Sequence, residues 1–308
     1  MFIFFLILKM NLINTYCKYL QNNKWFSKCT IDNYSRALLR LDKFLKNLTL
    51  WSRGVEECEQ IKFSDISLYL MEQRDLWLQV RTCNLQISAI RSFLRFCWKF
   101  WFNVLDYKTI ETWKELKKKI WFLTDEEQRS MIEYAKKDKS KDELTKTRDL
   151  SILMMFLYTW IRVHELCKIK VEEMSDELQI EWKWGTLRPT YLFNEHLRLC
   201  NLYLALRKWH KIESEYLFCS HANNSKWKKL SRNSIESIIR NIWINAGVKQ
   251  KVRPHKLRHT FATNLLKKWN NIYLIKELLW HQSITTTEKY LWATNEELRN
   301  AIFSLEKY

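Results

Sequence analysis

The run Gln79–Phe100 constrains the fold more than any other stretch of the chain. Leu85, Ile87, Ile90, Phe93, Leu94 and Phe96 gather on one side at helical spacing, with Arg81, Arg91, Arg95 and Lys99 on the other. An apolar stripe of that length must be covered by other elements. Suitable partners precede it. Ile13–Leu48 carries Tyr34, Leu38, Leu41, Phe44 and Leu45 near the same period, with Thr30 as the expected cap. Phe63–Gln73 reads as a further helix, introduced by Ser64 and Asp65. Residues 10–107 are therefore expected to form a helical domain. A basic helix face is ordinarily just solvated, so Arg81, Arg91 and Arg95 point to DNA only if the rest of the chain does.

The charge-rich stretch Lys108–Lys119 reads as a linker, placed at 108–121. Beyond it, Thr124 and Glu127 have capping-box spacing at a helix start, and a second domain is expected over 122–308. There, Leu150–Tyr158 is a strongly apolar helix ending just before Arg162, and Val163–Lys170 begins the next. Leu178–Trp182 and Leu187–Phe193 alternate as a hairpin, with Lys183 near its tip. Ser231–Asn245 is a helix behind a capping serine, carrying Arg232 and Arg240. The expected class is mainly α with one small antiparallel β hairpin.

Chemistry collects between Pro254 and Tyr290. Pro254 suits the first turn of a helix, where a missing N–H costs nothing. A helix from there sets His255 and Arg258 three residues apart on one face, with His259 one turn beyond His255. Asn270 and Asn271 break it, and a second helix over 272–279 leads to His281 and then Tyr290. Guanidinium matches phosphate oxygens and keeps its charge, imidazole moves protons near neutral pH, and tyrosine is a known covalent nucleophile. This inventory fits attack of a phenol on a phosphodiester.

These residues resemble the signature of the tyrosine recombinases, the phage integrase family, and most of all its Xer-type members. His255, Arg258, His281 and Tyr290 meet its H-x-x-R…H…Y order. Its T-G-L-R-x-x-E-L segment is matched by Thr159, Trp160, Ile161, Arg162, Val163, His164, Glu165 and Leu166, and its G-K-G hairpin by Trp182, Lys183 and Trp184. The resemblance implies a helical, SAM-like core-binding domain followed by an α+β catalytic domain. It implies catalysis by Arg162, Lys183, His255, Arg258, His281 and Tyr290 through a 3′-phosphotyrosine, without ATP or metal. It also implies double-stranded DNA as partner, gripped by the helical domain and by Arg232 and Arg240 on a helix able to enter the major groove. Two sites would be held by a homo- or hetero-tetramer, docked through a C-terminal helix over Asn295–Leu305. Xer-like chromosome dimer resolution, a mobile-element integrase and a catalytically dead DNA-binding homologue remain as alternatives.

Tryptophan stands where the family carries glycine, at Trp160, Trp182, Trp184, Trp269 and Trp280. The chain has 16 Trp and 3 Gly. Together they make up about 6% of it, close to an ordinary supply of glycine alone at about 7%. The pattern points to UGA codons that mean glycine in the source organism and are written here as tryptophan.

The remaining bounds agree with a DNA enzyme. A net charge of +18 points to a polyanion. Eight cysteines without C-x-x-C pairing read as reduced thiols, and the expected location is the cytoplasm. No metal is expected, because residue 256 is lysine where a zinc H-E-x-x-H motif needs glutamate. Met1–Leu8 is apolar but too short to span a bilayer, and Met10 is the expected start, with residues 1–9 a gene-calling extension.

Overall fold

The computed structural model describes residues 12–23, 26–48, 55–115, 121–181, 187–222 and 227–269. The chain divides into two compact units, Met1–Lys117 and Lys118–Tyr308.

The first unit is helical: α1 (Leu12–Asn23), α2 (Lys28–Leu48), α3 (Phe63–Asp75) and α4 (Val80–Lys99), with 3-10 turns at Val55–Gln60 and Tyr107–Thr109. Helix α4 buries Ile87, Ile90, Phe93, Leu94 and Phe96 against α2, α1 and α3. Tyr16 of α1 meets Phe93 edge-on, ring centroids 5.5 Å apart. Leu85 departs from the expected apolar face: it sits at the rim of the buried arc and stays exposed. The expected single run over Ile13–Leu48 is two helices, and the cap of the second is Ser27 rather than Thr30. The Ser27 hydroxyl accepts from Thr30 N at 3.3 Å, so the helix begins one turn before the expected cap. After α4 the chain stays on this unit. Ile110 is buried, and Asn84 exchanges two 2.8 Å hydrogen bonds with the backbone of Trp113.

Among its described residues the second unit has α5 (Asp125–Lys137), α6 (Glu143–Tyr158), α7 (Val163–Leu166), strands β1 (Glu177–Glu181) and β2 (Leu187–Tyr191), α8 (Asn194–Trp209), α9 (Arg232–Asn245) and α10 (Pro254–Trp269). Helix α6 is its axle. Every residue from Thr147 to Leu157 is buried, because α5, α8, α9 and α10 all pack on it. The capping box at α5 forms as its spacing predicts: Thr124 Oγ1 accepts from Glu127 N (3.2 Å) and Glu127 Oε2 from Thr124 N (2.9 Å). The two strands pair antiparallel with Glu177 opposite Tyr191. Helix α7 is one turn, shorter than the expected Val163–Lys170. The chain leaves it to pair with residues 215–217, where Leu217 N donates to the carbonyl of Ile169 at 2.8 Å.

Four helices end in the same geometry, a residue with positive φ closing a Schellman motif: Trp77 after α3 (φ 59°), Trp101 after α4 (66°), Lys211 after α8 (53°) and Gly247 after α9 (73°). In each, the N–H of the following residue donates to the carbonyl five back: Leu78 to Gln73, Phe102 to Cys97, Ile212 to Arg207 and Val248 to Trp243. Trp227 also has positive φ (64°), outside a helix end. Trp160, one of the five tryptophans at family glycine positions, is not among the positive-φ residues.

Candidate active site

Arg162 sits where α6 has ended and α7 begins. Its position is fixed by Glu165, one helical step on. Glu165 takes the backbone N–H of Arg162 on Oε2 at 2.7 Å and its Nη1 on Oε1 at 2.9 Å. The same carboxylate also accepts from Nη2 of Arg188, which reaches across from β2. Glu165 and Arg188 are both buried, while the Arg162 side chain stays 30% exposed. Burial works to raise the Glu165 pKa, but Arg188, the Arg162 N–H and the Arg162 guanidinium outweigh it and hold the carboxyl below its usual range. The result is a preformed clamp: a carboxylate locked between two guanidinium groups, with one of them, Arg162, open to solvent.

The other half of the site is the start of α10. Pro254 opens it, and Lys256 N and Leu257 N donate to the carbonyl of Arg253. Thr260 Oγ1 accepts from Leu123 N at 3.0 Å, and Asn264 donates to Gln128 of α5 at 3.1 Å, which fixes the helix rotation. His255 and Arg258 keep the expected three-residue spacing on this helix but differ in burial. Leu257 and Arg258 point inward, whereas His255 is exposed and pairs with His259, ring centroids 4.2 Å apart. Arg258 donates through Nη1 to the carbonyl of Trp160 at 2.6 Å, and its guanidinium lies over the Trp160 indole, 3.7 Å from the ring centre. Arg258 is thereby tied to the backbone two residues before Arg162. His164, two residues beyond Arg162, has its pKa lowered by burial and by the charges of Arg162, Lys168 and Arg258, against the opposing pull of Glu165.

Lys183, His281 and Tyr290 lie outside the described residues, as do Trp182, Trp184, Trp280, the expected helix over 272–279 and the C-terminal helix. Arg162, Arg258 and His255 are thus the expected catalytic residues that the structure describes, and it brings the two arginines to one loop. Of the expected DNA-contacting residues, Arg81 and Arg95 are exposed and Arg91 is half-buried, all on α4 opposite its packed face; Arg232 and Arg240 are exposed on α9. Arg232 is held by Glu236 at 2.9 Å.

Family comparison reaches both units. Residues 121–297 match the model described as "Phage integrase family", and residues 13–99 match "Phage integrase, N-terminal SAM-like domain". The chain belongs to the phage integrase family. It is accordingly a tyrosine-type site-specific DNA recombinase. Tyrosine recombinase XerA of Pyrococcus furiosus is 31% identical over 255 residues, covering 82% of this chain and 83% of that one. Tyrosine recombinase XerC of Bacillus pumilus is 25% identical over 312 residues, covering 96% of both. The XerH site-specific recombinase, in a post-cleavage complex with a palindromic difH substrate, shares the fold at a TM-score of 0.76 and 20% identity, covering 94% of this chain and 83% of its own.

Two features of this integrase-family site escape a reading by motif. Glu165 stands in the quoted segment with no role attached, although an acid three residues after an arginine at a helix start is the spacing of a local clamp. Arg188 leaves no signal in the chain itself, because its partner is 23 residues away and reached only through the sheet.

Proposed function

We propose that the chain cuts and rejoins DNA at specific sites through a 3′-phosphotyrosine on Tyr290. The phenolic oxygen attacks the phosphorus, the bond to the 5′-oxygen breaks, and a free 5′-hydroxyl is left. His255 accepts the phenol proton and Lys183 donates one to the departing 5′-oxygen, so the step is neutral in protons. Arg162 and Arg258 balance the charge growing on the equatorial phosphate oxygens, the kind of preorganised stabilisation worth about 3–4 kcal/mol per donor. His281 hydrogen-bonds the phosphate. The bond energy is kept in the phosphotyrosine, so the reverse attack reseals the strand. Two duplexes present four strands, and each chain brings one Tyr290, so a tetramer is the minimal complete enzyme.

The single observation that carries this reading is the clamp on Arg162: a buried carboxylate spends itself on orienting a guanidinium that remains solvent-facing. Xer-like resolution of chromosome dimers in the cytoplasm is the favoured role, supported by likeness to XerC and XerA along most of the chain. Gene neighbourhood separates it from a mobile-element integrase. A second reading, a DNA-binding homologue with a dead site, is favoured by the indole lying on Arg258.

The test is a nicked duplex carrying a site selected by the chain from a random-sequence library. The nick lets the cut fragment escape and traps the covalent adduct. Wild type is expected to form an adduct that Tyr290→Phe abolishes while binding is kept. Binding without any adduct in wild type leaves the dead-site reading standing.

A further inference from the structure

We infer that Arg188 is a positioning residue for the reaction, acting on Arg162 through Glu165; this rests on the phosphate-binding role proposed for Arg162. Arg188 is 1% exposed on a strand that is otherwise half open to solvent. Its own pKa is pushed down, chiefly by burial, and Arg162 pushes it the same way while Glu165 opposes. A guanidinium is an expensive filler for such a place. Methionine or leucine packs there without desolvating a charge. What it supplies is a second cation for Glu165. With Arg188 present, one Glu165 oxygen answers the Arg188 guanidinium and the Arg162 backbone N–H, and the other is left for the Arg162 side chain. Without Arg188 the carboxylate is under-neutralised in a buried pocket and turns toward Arg162, drawing that guanidinium down from solvent. Arg188 therefore sets how far Arg162 is held out for a phosphate.

The experiment compares Arg188→Met and Arg188→Lys in the full chain, alone and combined with Arg162→Lys. It reads site binding, thermal unfolding and single-turnover adduct formation on the nicked selected duplex. Arg188→Met is expected to slow adduct formation roughly 10²-fold, as a displacement of about 1 Å at a reacting group does, with binding within about twofold. Arg188→Lys recovers part of the rate. In the Arg162→Lys background, Arg188→Met has little further effect, because the group it positions is already altered. An equal loss in both backgrounds, or no loss in the first, overturns the inference. If Arg188→Met does not fold, the Arg188→Lys pair carries the same comparison. Failure of wild type to form any adduct strikes the functional proposal instead.

A second inference rests on backbone geometry alone: residues 77, 101 and 227 are glycine in the protein as its own cells make it. Among the described residues, the non-glycine positions with positive φ are three tryptophans and Lys211. A Cβ in that conformation collides with the following carbonyl, and a β-substituted aromatic is among the residues least suited to it. Trp77 and Trp101 gain nothing in return, being 93% and 91% exposed. Gly247 holds the same place in the same motif. The test is peptide mass measurement on the protein from its source cells together with the gene sequence. Glycine masses at UGA codons are expected at all three positions. Tryptophan masses, or UGG codons, overturn it.

Discussion

The guanidinium of Arg258 lies 3.7 Å from the ring centre of Trp160 and donates to its carbonyl at 2.6 Å. One residue both aims this arginine and covers it. The carbonyl contact is available whatever side chain stands at position 160. The indole is not neutral in this respect: it stacks on the flat face of the cation, and its bulk narrows the way to the N–H edge that would bind a phosphate, with Arg258 left 4% exposed.

Trp160→Gly is therefore expected to raise single-turnover adduct formation, by roughly tenfold or more if Arg258 contributes as such donors usually do. It also removes packing against Ala262 and Leu266, so stability is expected to fall by up to about 3 kcal/mol. Measuring both on one preparation separates the effects. A rate that stays flat or drops shows that the indole does not obstruct Arg258.

Trp77→Gly and Trp101→Gly should each stabilise the first unit by about 1 kcal/mol, since relief of the left-handed strain exceeds the added chain entropy of glycine. Gly247→Trp is the reciprocal change and should cost a similar amount; nothing lies within 4 Å of a Cβ built there, so the cost is that of the backbone alone. Denaturant midpoints at constant slope check all three. Trp227→Gly is a poor probe, because its ring packs edge-on against His221 at 6.2 Å.

How much of this could be read in the chain follows the range of the interactions. The α5 capping box, the Ser231 cap and the apolar α6 depend on neighbours within a turn or two, and their spacing announces them. The site motifs likewise declare Arg162 and Arg258 by order. What the spacing leaves open is rotation. Only the grip of Thr260 on Leu123 and of Asn264 on Gln128 decides that Arg258 turns inward and His255 outward. Arg188 is the same case over a longer distance, because a strand residue meets a helix residue only after the sheet forms.

His221 gives a pH prediction. It is wedged between Thr145 and Tyr203, with rings of Tyr203 and Trp227 beside it. Burial, then the charge of Arg148, push its pKa from 6.5 down to about 4, with Arg207 adding to the shift and Asp142 and Asp149 opposing. The folded state thus binds this proton more weakly than the unfolded chain. Stability is full above pH 6.5 and is lost as the pH falls from 6.5 toward about 4. Partial exposure scales the loss to about 1–2 kcal/mol. His221→Asn should flatten that part of the stability profile of the second unit, and an unchanged slope removes His221 as its source.

Thr124→Ala deletes one half of a complete capping box and should cost about 1 kcal/mol by chemical denaturation. Glu127→Ala should cost less, since Thr124 Oγ1 still caps the Glu127 backbone N–H. Equal losses show that the pair acts as a unit.

The account turns on which atom of the protein becomes joined to DNA. The direct measurement is mass spectrometry of the protease-digested adduct trapped on the nicked selected duplex. It should yield the peptide containing Tyr290 with nucleotide attached through a 3′-phosphate on the phenol. A nucleotide carried by any other residue, or by none while the strand is nonetheless cut, contradicts it.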